Sequence, residues 1–280
     1  MDTLQLKTFM AIVQAGSFSR AAERLCCVQS NVTARIKRLE RQLGAPLFER
    51  GRNGAALTAS GLRLKSHAED ILARLAAAET DMLDAVGGAA PLRLGAMEST
   101  AATRLPPLMK RLHKAFPEAA LSLETGATDD LLNRVFDREL DAAFVAAPVD
   151  AERFASAAAF REELVLAAPP EAGITAPLIS FRAGCAYRAR AEQWLRAAGH
   201  APLKVVEMGS LDGILGCVAA GMGIAVVPRR AAESSQHRDG LRLEALPAAY
   251  RASETRLAWR HDLRQTRALR QLLAWLAAGY

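Results

Sequence analysis

Gln29-Ser30-Asn31-Val32-Thr33-Ala34-Arg35-Ile36-Lys37-Arg38-Leu39-Glu40-Arg41-Gln42-Leu43 carries two stripes at helical spacing. Val32, Ile36, Leu39 and Leu43 make one apolar face. Asn31, Arg35, Arg38 and Gln42 repeat the spacing on another face, flanked by Ser30, Thr33 and Lys37. Amides, hydroxyls and guanidinium groups on one exposed helix face are what base edges and phosphates require, while a solvated basic face is the plain alternative. The next residues tip the balance. Pro46-Leu47-Phe48-Glu49-Arg50 reads as a strand, Gly51-Arg52-Asn53-Gly54 as a tight turn and Ala55-Ala56-Leu57 as the return strand. Asn-Gly supplies the positive φ such a turn needs. A hairpin behind a helix-turn-helix is a wing, and Arg50 and Arg52 bring it charge for phosphate or a groove. The expectation is a winged helix-turn-helix with Ser30, Asn31, Thr33, Arg35 and Arg38 directed at double-stranded DNA.

Upstream, Leu4, Leu6, Phe9, Ile12 and Val13 mark a first helix that Gly16 ends. Ser17 or Ser19 caps a second, in which the small Ala21 and Ala22 admit a close neighbour. Downstream, Thr58 or Ser60 caps a long helix that Gly87-Gly88-Ala89-Ala90-Pro91 stops. Leu64, Ala68, Ile71, Leu75, Ala78, Met82 and Ala85 recur every 3.5 residues on average, a seam suited to pairing two helices. The expectation is a dimer offering two recognition helices to a palindromic site, with packing against its own domain as the alternative.

Charge follows the same division. The 280 residues hold 36 Lys+Arg and 30 Asp+Glu, a net charge of +6, yet residues 1–66 alone carry +7 and the remainder −1. A basic module that meets a polyanion is joined to a near-neutral one. A content of 51% hydrophobic residues excludes a disordered or fibrous chain. The longest uncharged stretch, 213–228, is too short and too rich in glycine to span a membrane. The N-terminus has no signal-peptide pattern, and Cys26, Cys27, Cys185 and Cys217 lack zinc-site spacing, so a reduced cytoplasmic setting is expected, with no metal and no cofactor. His67, His113, His200, His237 and His261 are scattered, and no Ser/His/Asp set is recognisable.

From residue 92 onward, strands are expected at 92–96, 120–124, 142–146, 164–168, 178–181, 205–207 and 224–227. Helices are expected at 101–116, 129–136, 189–198, 211–220 and 263–278. This alternation argues for an α/β fold with a parallel sheet, whose ligands lie beyond the strands' carboxyl ends. Glu98-Ser99-Thr100 falls there, either holding a carboxylate on hydroxyls and backbone N–H groups or merely capping its own helix. Glu98 offers a second possibility, an ammonium partner. Thr128 follows the second strand. Arg182-Ala183-Gly184-Cys185-Ala186-Tyr187-Arg188 carries two guanidinium groups, a phenol and a thiol, and arginine pairs bidentately with carboxylates. A loop whose arginines see only water is the alternative. Gly209-Ser210-Leu211 opens a helix positioned to close the cleft, and Gly221-Met222-Gly223-Ile224 lacks the dinucleotide fingerprint.

The chain resembles the LysR-type transcriptional regulators. The matching residues are Leu6-Lys7-Thr8-Phe9, Gly16-Ser17-Phe18-Ser19-Arg20-Ala21-Ala22, Ile36-Lys37-Arg38-Leu39-Glu40, Leu43-Gly44, Pro46-Leu47-Phe48-Glu49-Arg50 and Leu57-Thr58-Ala59-Ser60-Gly61. The family's usual Ser-Gln-Pro-Ala-x-Ser-Arg is here Val28-Gln29-Ser30-Asn31-Val32-Thr33-Ala34, with the arginine displaced to Arg35. The resemblance implies a winged helix-turn-helix over 1–58, a linker helix and hinge over 59–90, and a two-lobed periplasmic-binding-protein-like (type 2) effector domain over 91–280. Its first lobe would take about 91–161 and 266–280, its second about 162–265. A small effector would bind between the lobes, at Glu98, Ser99, Thr100, Thr128, Arg182, Cys185, Tyr187 and Arg188. The resemblance further implies a non-enzymatic regulator, a dimer or tetramer, promoter DNA as partner, and RNA polymerase as a candidate partner. Residues 95–102, 160–164 and 181–188 look most like regulators of putrescine utilisation. The family's peroxide-sensing branch suggests an alternative, a redox switch of Cys185 and Cys217. Another alternative, from outside the family, is a solute-binding or enzymatic α/β domain whose basic N-terminus is incidental.

Overall fold

The computed structural model describes residues 1–51, 54–85, 90–171, 176–200 and 204–279. The chain falls into two compact units, Met1–Met82 and Leu83–Tyr280.

In the first unit, α1 (Thr3–Ala15) opens on a capping box. Asp2 Oδ1 accepts from the Gln5 N–H at 2.8 Å, and Gln5 Oε1 accepts from the Asp2 N–H at 2.9 Å. Gly16, at φ 62°, ends the helix as expected. Then come α2 (Phe18–Arg24) and α3 (Gln29–Leu43), and a hairpin of β1 (Phe48–Gly51) and β2 (Gly54–Leu57) that pairs Phe48 with Leu57 and Arg50 with Ala55. Leu6, Phe9 and Ile12 of α1 pack on Val32, Ile36 and Leu39 of α3 and on Leu47 and Phe48. The Phe48 ring sits 5.2 Å from Phe9 and 5.5 Å from Phe18. Glu40 Oε1 accepts from the Leu47 N–H at 2.8 Å and ties the hairpin to α3.

The long helix α4 (Ala59–Ala85) leaves the hairpin through a tight crossing. Thr58 Oγ1 donates to the Pro46 carbonyl at 2.7 Å and accepts from the Gly61 N–H at 3.0 Å. A Cβ on Gly61 would lie 2.2 Å from the Leu47 carbonyl oxygen, so only glycine fits. The expected seam divides along its length. Leu64 and Ala68 are buried in the first unit's own core, whereas Ile71 and Met82 stay 39% and 66% exposed. Leu72, next to Ile71, still packs against that core.

The second unit contains β3 (Leu92–Ala96), α5 (Glu98–Thr103), α6 (Leu105–Ala115), β4 (Leu121–Thr125), α7 (Thr128–Phe136), β5 (Ala142–Ala146) and β6 (Phe154–Ala168). It continues through β7 (Leu178–Ser180), α8 (Ala186–Ala197), β8 (Val205–Glu207), α9 (Leu211–Ala219), β9 (Ala225–Pro228) and α10 (Arg229–Glu233). The last elements are β10 (Arg242–Ala245), α11 (Ala248–Arg251), β11 (Ala252–Arg260) and α12 (Arg267–Ala277). The sheet is mixed, which corrects the expectation of a parallel one. Strand β3 runs parallel to β4 and β5, but β11 is antiparallel to both β5 and β6. β6 serves two lobes: its residues up to Glu163 pair with β11, and from Leu164 on it pairs with β9 and β10. β11, inside the stretch that the sequence reading gives to the second lobe, therefore stands in the sheet of the first. The helix expected over 101–116 is two, because Pro106 and Pro107 cannot continue the α5 hydrogen-bond ladder and instead open α6.

Helices α6 and α12 cover one face of the first lobe through Leu105, Leu108, Leu112, Leu269 and Leu272, and α7 covers the other through Leu131 and Val135. In the second lobe, α9 packs Ile214, Leu215 and Val218 onto Val165 and Val227, while α8 packs Ala191 and Leu195 onto Leu164 and Leu166.

Candidate functional site

The first unit presents α3. With Val32, Ile36 and Leu39 committed to the core, helical geometry leaves Ser30, Asn31, Lys37 and Arg38 exposed, with Thr33 and Arg35 half-buried beside them. Among the described residues, no carboxylate pairs with Arg35, Lys37 or Arg38. Their charge stays available to an external anion. The Arg50 backbone pairs across the hairpin with Ala55; Arg52 lies outside the described residues.

In the second unit a cleft opens between the lobes, with about 600 Å³ of empty space, part of it open to solvent. Glu98, Ser99, Thr128, Arg182, Cys185 and Tyr187 come together in its lining. Thr100 is buried beside it without lining it, and its hydroxyl has no hydrogen-bond partner. Arg188 turns away: it holds Glu192 at 2.8 Å and Glu207 at 2.5 Å, and borders a second cavity instead. Glu98 and Ser99 are not side-chain caps, because Met97 occupies the N-cap of α5.

The sequence reading missed Met97, Thr125, Gly126, Ala127, Phe181 and Met208 among the lining residues, while Gly209, which it placed at the start of the helix expected to close the cleft, does line it. Met97 follows β3, Thr125 ends β4 and Met208 follows β8, so the rule that ligands lie past parallel strands' carboxyl ends identifies these positions. Arg104, behind the cleft, was also missed. It grips the buried Glu162 at 2.7 Å and 3.2 Å, and Glu162 in turn acts on Tyr187.

Electrostatics distinguish the lining groups. Burial raises the Glu98 carboxyl above its usual range; the Leu211 N–H at the start of α9 opposes this and Asp212 adds to it. Glu98 Oε2 is buried without a hydrogen-bond partner. Tyr187 is 3% exposed, and burial pushes its phenol up to about 12. Ser99 lies close enough to the Tyr187 hydroxyl to oppose that shift, but the two make no hydrogen bond of good geometry. Burial also raises the Cys185 thiol, against the N–H groups of Arg188 and Tyr187. All four cysteines are free, and Cys185 and Cys217 pack against different apolar clusters. A raised thiol has little thiolate character, which disfavours the redox alternative. Among the described residues there is no group of three or more His, Cys, Asp or Glu that could hold a metal, and no helix long and apolar enough to cross a membrane.

Comparison with known proteins agrees over the whole chain. Residues 4–62 match the family described as bacterial regulatory helix-turn-helix protein, lysR family, and residues 86–280 match the LysR substrate binding domain. The HTH-type transcriptional regulator YofA of Bacillus velezensis is 38% identical over 283 residues, covering 99% of this chain and 98% of that protein. The HTH-type transcriptional regulator CzcR of Bacillus cereus is 34% identical over 278 residues, covering 98% and 96%. A full-length OxyR variant from Pseudomonas aeruginosa superposes with a TM-score of 0.71 at 26% identity, covering 99% of this chain and 94% of that one. Full-length CbnR, solved with its target DNA, shares the fold with a TM-score of 0.66 at 21% identity and complete coverage of both chains.

Proposed function

The chain belongs to the LysR family of DNA-binding transcriptional regulators, which are not enzymes, and from that premise we propose how its own residues divide the work. Ser30, Asn31, Thr33, Arg35 and Arg38 enter the major groove, while Arg50 and Arg52 meet the backbone or the minor groove. The observation that carries this reading is the α3 face, whose Arg35, Lys37 and Arg38 have no carboxylate partner among the described residues while Val32, Ile36 and Leu39 are buried in the core. Neutralising phosphates with such cations releases counterions, so affinity falls steeply as salt rises. CbnR, of the same fold, is named in complex with its target DNA, which supports the reading.

The winged domain takes 1–58, the linker 59–90 and the effector domain 91–280. The exposed Ile71 and Met82 supply the later part of a dimer seam, and dimers assemble further into tetramers that recruit RNA polymerase. Glu98, Ser99, Thr128, Arg182, Cys185 and Tyr187 receive a small effector. The three stretches that resemble putrescine-utilisation regulators contribute Glu98, Glu162 and Tyr187 in or behind this cleft, which supports the finer subgroup reading and an amine, amino acid or small carboxylate as ligand.

The test is titration of the full chain against its own upstream DNA at increasing salt, with Arg35→Ala compared across altered operators. Relaxed preference at one base step supports base reading. A uniform loss across all operators assigns Arg35 to phosphate instead.

A further inference from the structure

Glu98 and Arg182 are the two charged side chains in the cleft lining, one from each lobe, and they do not neutralise each other. Glu98 Oε2 is buried and unpartnered. Arg182 is exposed at the opposite side and, among the described residues, forms no ion pair or side-chain hydrogen bond. It contrasts with Arg188, six residues on, whose guanidinium two carboxylates saturate.

Neutral donors accompany this pair of charges. Tyr187 lines the same space, and its buried hydroxyl, near Ser99, makes no hydrogen bond of good geometry. The first turn of α7 opens into it from Ala127, whose side chain caps nothing. The Thr128 hydroxyl accepts from the Ala146 N–H at 3.3 Å, which leaves its own hydrogen to donate. That turn also holds Asp129 and Asp130; neither lines this space, Asp129 borders the neighbouring cavity, and Asp130 Oδ2 lies on the side of the lining Gly126. Buried polar atoms lacking partners destabilise a fold unless a ligand satisfies them.

We propose that the effector is a small zwitterion, an amino acid whose ammonium binds Glu98 and whose carboxylate binds Arg182, the Tyr187 hydroxyl and the N-terminal turn of α7. This rests on reading the cleft as the effector site. A dicarboxylate would set one anion against Glu98, and a diamine would set one cation against Arg182. Only a ligand carrying both signs satisfies both ends. Met97, Phe181 and Met208 give the space between them an apolar wall that suits aliphatic carbons. The raised Glu98 carboxyl fits as well, since an ammonium beside it restores the ionised form.

Calorimetry on the purified full-length protein tests the charge pattern with compounds of matched chain: 4-aminobutyrate, L-2-aminobutyrate, putrescine and succinate, followed by the protein-forming α-amino acids. The expected result is saturable binding of an amino acid, weakened at least about tenfold by Glu98→Gln and by Arg182→Gln. Thermal melts of the unliganded variants verify that each is folded. Binding confined to putrescine or to succinate overturns the zwitterion, as does the absence of binding by every amino acid at millimolar concentration. If a ligand of the wrong charge binds and Tyr187→Phe weakens it, only the charge class fails and the cleft keeps its role. If an amino acid binds and none of the three substitutions weakens it, the cleft assignment fails, and the proposal with it.

Discussion

On α3, Arg35 and Arg38 have no carboxylate partner among the described residues, whereas Arg93, Arg104, Arg134, Arg188, Arg229 and Arg260 of the second unit each hold at least one. The same side chain serves two ends. In the second unit, guanidinium groups fasten elements together: Arg104 joins the turn between α5 and α6 to β6, and Arg229 joins α10 to β6. On α3 they remain hydrated and available, which is what binding a polyanion demands. Net charge therefore carries functional information only after internal pairing is subtracted. By that measure Arg182, which forms no ion pair among the described residues, resembles the cations of α3.

The comparison can be broken in three ways. The largest effect is expected from the combined Arg35→Ala and Arg38→Ala change. Loss of the two proposed groove contacts, at about 1–3 kcal/mol each, is expected to reduce operator affinity by more than tenfold, with a shallower salt dependence in a fluorescence-anisotropy titration. Thermal stability is expected to stay within about 0.5 kcal/mol of the parent, because neither cation has an internal partner. A large fall in melting temperature would show that these arginines also hold the fold.

Glu162→Gln reverses the pattern. It leaves Arg104 without its buried anion, at a cost of about 2 kcal/mol, below the usual figure for a buried pair because Arg104 is partly exposed. Urea denaturation of the second unit's transition reads this loss. An unchanged midpoint would mean that the pair adds nothing to stability.

The smallest effect belongs to Asp262. Its hydrogen bond with Arg260, helped by the charge of Arg138, lowers its carboxyl from 3.8 to about 2. A depressed carboxyl adds stability that is fully present above its unfolded value and is lost as pH falls through the folded one. Asp262→Asn should therefore shift the midpoint slightly at neutral pH and flatten the acid limb between pH 3.8 and about 2. The largely exposed side chain keeps this contribution small. An acid limb identical to the parent's would exclude the linkage.

Legibility differed between the two units for a physical reason. Gly16 and the α3 stripes are local signals, complete within a few residues, and the first unit is built from them; Asn53 of the expected turn lies outside the described residues. β6 and β11 are not local. Ala155-Ser156-Ala157-Ala158-Ala159 has the composition of a helix, and only pairing with β11 makes it extended. β11 buries Ser253 and Thr255 where alternation calls for apolar side chains, so its period of two is hidden. The cleft was partly legible, because Glu98, Thr128, Arg182 and Tyr187 stand where chemistry-bearing residues follow strands. Arg188 looked equivalent to Arg182 because its helical i,i+4 partner Glu192 was not weighed and nothing in sequence shows that the distant Glu207 converges on it. Met97, Phe181 and Met208 carried no polar signal at all.

The crossing at Gly61 has a mechanical meaning. A helix of 27 residues spans about 40 Å, and its root is locked to the hairpin by Thr58, Leu47 and the bare glycine between them. A lever of that length converts a tilt of about 5° at one end into a travel of about 3.5 Å at the other, close to the rise of one base step. The joint at Gly61 therefore ties the direction of the first turn of α4 to that of the hairpin.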